Sequence, residues 1–271
     1  MVIRPKVLVL KTEGTNCDEE TAFAFSLIGG GSQIVHINEL RTYNYKLNDF
    51  QILAIPGGFS YGDDIVSGKI LAVELTSFFS QELKKFIERK DTLIIGICNG
   101  FQVLVRTGLL PFRTIGKMQA TLTNNDSGHF DCRWINLKIQ QNNNCVFLKN
   151  LEGKIVSYQV AHGEGKFFAQ KTILQKAEKE KLVVFRYVNS SGNPTQKYPD
   201  NPNGSLHAIA GITDPTGRIL GLMPHPERFI FKEQHPNWRR FKINKSIRQA
   251  QDLRPQGLPI FENMIKYVES A

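Results

Sequence analysis

No stretch of this chain holds the ~18 consecutive apolar residues that a membrane-spanning helix needs. The apolar run near its start, in "MVIRPKVLVLKTEG", is too short for a secretory signal. These absences predict a soluble, cytosolic protein without a membrane partner. Cysteine is scarce: Cys17, Cys98, Cys132 and Cys145 stand far apart, with no CxxC pair and no histidine cluster nearby. Neither a disulfide framework nor a zinc site follows from such spacing, so reduced thiols and no metal are expected. Internal repeats and long low-complexity tracts are also missing.

What is present suffices for one sizeable core, since the 271 residues are 41% hydrophobic. One domain spanning 1–271 is the expectation, with two small domains not required. The formal charge of +9 is compatible with a nucleic-acid, membrane or acidic-protein partner. Its distribution narrows the choice. Between Arg228 and Gly257 there are eight Lys or Arg (Arg228, Lys232, Arg239, Arg240, Lys242, Lys245, Arg248, Arg254) and two acidic residues, Glu233 and Asp252. No recognisable nucleic-acid module accompanies this basic stretch.

The first half alternates strand and helix signals. "KVLVL" (6–10), "QIVHI" (33–37), "QILAI" (51–55) and "TLIIGI" (92–97) read as strands, with helices from about Asp18 and over about Ser67–Arg89. Short apolar strands separated by amphipathic helices predict a parallel sheet covered on both faces. In the long helix, Ile70, Leu71, Leu75, Phe78, Phe79, Leu83, Phe86 and Ile87 recur at steps that mark a core-facing stripe. Later strands at 133–139, 154–160, 182–188, 206–214 and 218–224 include a pair joined by the turn "TDPTG", which predicts antiparallel neighbours and a mixed sheet. The stretch 189–205 reads as a polar loop.

In "TLIIGICNGFQVL", Cys98 sits where a buried strand breaks into a helix, with Gly96 and Gly100 two positions away on either side. Small neighbours relieve the crowding at such a strained junction. A thiol at the first turn of a helix feels unpaired N–H groups and the positive end of the peptide dipoles, which favour the thiolate. The N–H of Asn99 supplies one oxyanion donor if Cys98 attacks a carbonyl. A second can come from "IPGGFSYGDD", whose loop leaves the sheet on the same edge and whose Gly57 and Gly58 let a backbone N–H approach closely. A base is also required. His225 lies in "MPHPER" between Pro224 and Pro226, and Glu227, two residues on, projects to the same face in an extended segment. A carboxylate there orients the imidazole and stabilises the imidazolium.

Together, "GTNCDEE" (14–20), "GGFSYGDD" (57–64), "GICNGFQVL" (96–104), "AHGEGKF" (161–167) and "MPHPER" (223–228) resemble the class I, triad-type glutamine amidotransferases, in particular the glutaminase component of phosphoribosylformylglycinamidine synthase. The similarity runs from about residue 6 to 230, and "GLPIFENMIKYV" resembles that family's last helix. The resemblance implies an α/β, flavodoxin-like fold with a mixed, mostly parallel central sheet flanked by helices. It also implies that Cys98 attacks the side-chain amide of L-glutamine, that His225 protonates the departing ammonia, and that Glu227 orients His225. Gly58 and Asn99 are the implied oxyanion donors. Gly57, Gln102, His162, Gly163 and Glu164 are the implied substrate-binding positions, with His162 read as a loop-stabilising hydrogen-bonder rather than a second base. Ammonia is expected to pass to a separate ATP-dependent synthetase subunit, with a small third subunit bridging them. ATP and Mg belong to that partner, and this chain carries no cofactor, which agrees with the absence of GxxxxGK[ST].

Cys17, within "GTNCDEE", is read as structural or partner-facing, with Asn16 or a neighbour capping the next helix. Two departures stand out. "IVSGKILA" follows "GGFSYGDD" where many relatives carry an arginine, and the basic stretch at about 230–257 is longer than a compact version of the enzyme needs. That stretch is either a solvated insertion or a docking arm for the synthetase, with Trp238 as a candidate anchor. Competing readings are a class I glutaminase with another ammonia acceptor, a non-catalytic module, which a broken triad would mark, and a cysteine peptidase, for which no peptide-binding signature is present.

Overall fold

The computed structural model describes residues 4–42, 44–239 and 255–271. The first part of the chain forms β1 (Lys6–Lys11), α1 (Asp18–Leu27), β2 (Gly31–His36), α2 (Ile37–Arg41), β3 (Ile52–Ile55), α3 (Lys69–Ser77), α4 (Ser80–Glu88), β4 (Leu93–Ile97) and α5 (Asn99–Arg106). Then follow β5 (Ala120–Thr123), β6 (Asp131–Ile139), β7 (Ile155–His162), β8 (Lys166–Ala169), α6 (Lys171–Lys179), β9 (Val183–Val188), β10 (Ile209–Thr213), β11 (Ile219–Leu222) and α7 (Leu258–Ser270).

Nine strands make one sheet in the order β2-β1-β3-β4-β11-β10-β9-β6-β7. The first five run parallel, and every later neighbour pairs antiparallel. The change of direction falls at the β10–β11 pair, where the "TDPTG" turn was expected to place it. Every residue of β3, β4 and β11 is buried, so these central strands are covered on both faces, as their unbroken apolar sequences require. The buried apolar residues form one continuous cluster across both halves of the sheet. A separate antiparallel pair, β5–β8, escaped the sequence reading.

The helix expected over 67–89 is two helices, α3 and α4, broken at Phe78 and Phe79. Thr76 turns its hydroxyl back onto the Ala72 carbonyl at 2.8 Å, a contact that competes with helix continuation. The break lets Phe79, Leu83 and Phe86 reach the core while Phe78, predicted to lie in the same stripe, is 63% exposed beneath the Arg41 guanidinium. Most of the basic stretch, residues 240–254, lies outside the described residues. The chain on its two sides is anchored beside the "MPHPER" segment: Gly257 N–H donates to Phe229 O at 2.9 Å, and Tyr158 Oη donates to Gln256 O at 2.8 Å.

Candidate active site

Three neighbouring parallel strands end at one edge, and each delivers one piece of the site: β3 leads to Gly57 and Gly58, β4 to Cys98, and β11 to His225 and Glu227. Register accounts for part of this convergence. Ile55 pairs with Gly96 and Gly96 with Gly221, so the three carboxyl ends lie level.

Cys98 caps α5 at φ 52° and ψ −106°, outside the helical and strand regions, so the sharp strand-to-helix junction is present. Its N–H donates to Leu222 O at 2.8 Å, which ties the elbow to β11. The flanking glycines serve close approach: a Cβ on Gly100 would lie 1.9 Å from Ile55 O, and one on Gly96 2.5 Å from Gly100 O. Asn99 is the first residue of α5, so its N–H has no intrahelical acceptor. The Cys98 Sγ is otherwise only 3.7 Å from the Ala161 carbonyl of β7.

His225 and Glu227 are both buried, and Nδ1 of the imidazole meets Glu227 Oε1 at 2.5 Å. The His225 N–H donates to Gln159 O at 2.8 Å, joining the "MPHPER" turn to β7. Burial pushes the imidazole pKa down, but Glu227, Cys98 and Cys17 together outweigh it and hold the group well above the ordinary histidine value. His225 Nε2 has no hydrogen-bond partner. Gly57 explains how the parts fit. A Cβ there would stand 2.7 Å from His225 Cε1, 3.3 Å from Cys98 Cβ and 3.2 Å from Cys17 Sγ. These side chains therefore face one another across the space left by the missing side chain. Gly58, at φ 139°, adopts a conformation open to glycine alone.

The positions read from the sequence as substrate-binding are held in contacts with one another and with the neighbouring loops. Gln102 is buried, with Oε1 accepting from Asn99 Nδ2 at 3.0 Å and Nε2 donating to Glu164 O at 2.6 Å. It is a strut between α5 and the "AHGEG" loop. His162 is also enclosed: Nδ1 lies 3.1 Å from Asn125 Oδ1, and Nε2 lies 3.4 Å from Asn203 Nδ2. Those partners fix a neutral ring with the proton on Nδ1. Burial, then the neighbouring His225, lowers its pKa to about 4. Asn125 also takes Gly165 N–H on its Oδ1 at 3.1 Å and donates to His162 O at 2.8 Å, while its own N–H donates to Gly163 O at 2.8 Å. His162 thus stabilises the loop, the role preferred from the sequence, and its ring faces no open space.

Four residues of this region were not read from the sequence as part of the site. Asp63 accepts from Asn99 Nδ2 at 3.2 Å, Asn125 and Asn203 hold His162, and Arg228 Nη2 donates to Cys17 Sγ at 3.1 Å. The reading of Cys17 as partner-facing is overturned, because the side chain is 1% exposed and lies against His225. Nor does Asn16 or a neighbour cap α1 through a side chain: Cys17 itself occupies the cap without such a bond.

Residues 4–268 match the model of the CobB/CobQ-like glutamine amidotransferase domain. The chain is 44% identical to phosphoribosylformylglycinamidine synthase subunit PurQ of Dehalococcoides mccartyi, over 97% of each chain. With PurQ of Methanococcus maripaludis it shares 41% identity, again over 97% of each. Among solved structures it resembles a chain of PurLQS from Thermotoga maritima, with 30% identity, a TM-score of 0.72, and coverage of 98% of this chain and 99% of that one. A glutamine amidotransferase from the same organism, 14% identical with a TM-score of 0.56, shares the fold. The elbow at Cys98, the buried His225–Glu227 pair and these likenesses agree, and the chain belongs to the PurQ family of phosphoribosylformylglycinamidine synthase subunits, within the glutamine amidotransferases.

Proposed function

We propose that this chain hydrolyses L-glutamine to glutamate and ammonia through a thioester on Cys98, and passes the ammonia to an ATP-dependent synthetase that makes phosphoribosylformylglycinamidine. The observation that carries this reading is the buried pair His225 Nδ1–Glu227 Oε1 at 2.5 Å, whose remaining ring nitrogen is unpartnered beside the strained Cys98.

The steps follow from those positions. His225 takes the thiol proton through Nε2 as the Cys98 sulfur attacks the side-chain carbonyl carbon of glutamine, and Glu227 stabilises the imidazolium. The negative charge on oxygen is received by the N–H groups of Gly58 and Asn99, fixed in place before the reaction. Collapse breaks the carbon–nitrogen bond, and the proton on His225 goes to the leaving nitrogen, which departs as ammonia. Water then attacks the thioester with His225 as base, releasing glutamate and restoring the thiol. Gly57 leaves room for the reacting groups. The Gln102 strut, with His162, Gly163 and Glu164, shapes the loop that closes on the amino-acid end of the substrate.

This chemistry needs no cofactor in the chain, and ATP and Mg are assigned to the synthetase. The relative named PurLQS supports a synthetase and a third subunit as partners. The basic stretch at about 230–257 is assigned to docking of the synthetase, a role supported by the anchoring of its described residues Gln256 and Gly257 at Tyr158 and Phe229, close to the site. We place the reaction in the cytoplasm, in keeping with free Cys17, Cys98, Cys132 and Cys145, and with the lack, among the described residues, of a helix long and apolar enough to cross a membrane. Cys98→Ala in the reconstituted complex tests the reading. Glutamine-dependent synthesis should vanish while synthesis from added ammonia persists, and surviving glutamine-dependent turnover would remove Cys98 from its role.

A further inference from the structure

Cys17 takes no part in the steps above, yet its thiol is buried against the same imidazole. Its Sγ, a ring nitrogen of His225 and a carboxylate oxygen of Glu227 all lie within 4.8 Å of one another, and all three residues are buried. Cys98 stands on the other side of the gap at Gly57, with its Cβ 3.3 Å, and Cys17 Sγ 3.2 Å, from the point a Cβ at that position would occupy. Two thiols therefore flank one imidazole. His225 Nε2, 1% exposed with the rest of its residue, has no hydrogen-bond partner, while Nδ1 is committed to Glu227. A buried ring nitrogen without a hydrogen-bond partner, beside two sulfurs, is placed to coordinate a cation together with them.

We infer that Cys17, Cys98 and His225 Nε2 form a binding site for a thiophilic divalent cation of the zinc class, and that an ion bound there arrests glutamine hydrolysis. Two thiolates and an imidazole are a donor set that zinc prefers over magnesium or calcium, and a three-ligand site leaves a fourth position for water. Glu227 on Nδ1 supplies the carboxylate–histidine–metal arrangement that fixes the ring for coordination. Zinc bonds of roughly 2.0–2.3 Å place tetrahedral ligand atoms roughly 3.3–3.8 Å apart, so a shift of about 1 Å suffices for Cys17 Sγ and the His225 ring, and the Cys98 side chain must rotate to bring its sulfur to the same ion. Burial holds the Cys17 thiol above its ordinary pKa, so the cation must displace its proton, while His225 and Arg228, whose Nη2 lies 3.1 Å from Sγ, act in the other direction. Binding releases two protons to solvent, one from Cys17 and one held by the Cys98–His225 pair, and involves no oxidation or reduction. It takes the sulfur nucleophile and the base nitrogen out of use together. Because Cys17 and His225 are so distant along the chain, no rule of ligand spacing could have revealed the site.

Binding itself does not depend on the glutaminase reading, whereas the inhibition does, so the two are tested separately. The full chain is titrated with Co²⁺ as an optical probe, and the metal-free complex is assayed for glutamine hydrolysis against free Zn²⁺ held by a metal buffer. The wild type should bind one Co²⁺ with thiolate-to-cobalt charge-transfer absorption. Cys17→Ser and Cys17→Ala should lose at least tenfold in affinity, and the Zn²⁺ needed to halve each variant's own metal-free rate should rise by a similar factor. Cys132→Ser, at an exposed thiol, should behave as wild type. A wild type without stoichiometric cobalt absorption, or Cys17 variants that titrate as wild type does, would overturn the site. Normal cobalt binding with no zinc inhibition would leave the site standing and overturn its action on glutamine hydrolysis.

Discussion

Gly57→Ala is a small change with a calculable effect on the proposed glutaminase. The backbone at Gly57 is not among the positive-φ positions, so alanine introduces no backbone strain there. The added methyl carbon would lie 2.7 Å from His225 Cε1, where ordinary contact begins at 3.4 Å, so the imidazole must retreat by about 0.7 Å or more. Nδ1 is held by Glu227 at 2.5 Å, and the ring is enclosed, so it can only swing about that bond and carry Nε2 away from Cys98. A misplacement of about 1 Å costs on the order of 100-fold in rate, or about 2.7 kcal/mol of transition-state stabilisation. The overpacking itself should lower stability by about 1–3 kcal/mol. The assay is glutamine-dependent against ammonia-dependent synthesis in the reconstituted complex, with thermal melting of the variant as a control on folding. Glutamine kcat/KM should fall about 100-fold while ammonia-dependent synthesis is maintained. A folded variant with glutamine kcat/KM within threefold of wild type would refute the placement of His225 against Cys98 across Gly57.

Glu227→Gln keeps the shape but removes the charge that raises His225, so glutamine turnover should drop by roughly 10²–10⁴ with ammonia-dependent synthesis intact, as steady-state assays of the complex would report. Unchanged turnover would mean that Glu227 does not orient the base. His162 gives a stability signature at acid pH. Its folded pKa of about 4 lies below the unfolded value, so its contribution is complete above about pH 6.5 and is lost as pH falls toward 4, where the unfolded chain takes up a proton and the native chain does not. The loss approaches about 3 kcal/mol. Urea unfolding of wild type and His162→Gln between pH 4 and 7 should show a steeper pH slope for wild type, and parallel slopes would contradict the neutral buried ring.

The parts of the site that could be read from sequence are those whose geometry is local. A cysteine between two spaced glycines after a buried strand specifies an elbow within five residues, and His225 and Glu227 share one turn, so both survive any error in the rest of the fold. The parts that could not be read depend on long-range packing. Asn203 and Ser205 lie in a stretch that reads as polar loop, yet they are buried because Asn203 meets His162 and Ser205 accepts from Phe167 N–H at 2.9 Å. Cys17 meets His225 only after β3 brings Gly57 between them. The break at Phe78 and Phe79 was hidden because an apolar stripe with helical spacing continues through it, and periodicity records which side faces inward without recording continuity of the backbone.

The most direct test is to quench the complex during glutamine turnover in acid and map the covalent adduct by mass spectrometry of its peptides. The account predicts a glutamyl thioester on the peptide that contains Cys98, absent from Cys98→Ala. A glutamyl adduct on Cys17 or another residue, or rapid turnover with no adduct under conditions that preserve thioesters, would contradict it.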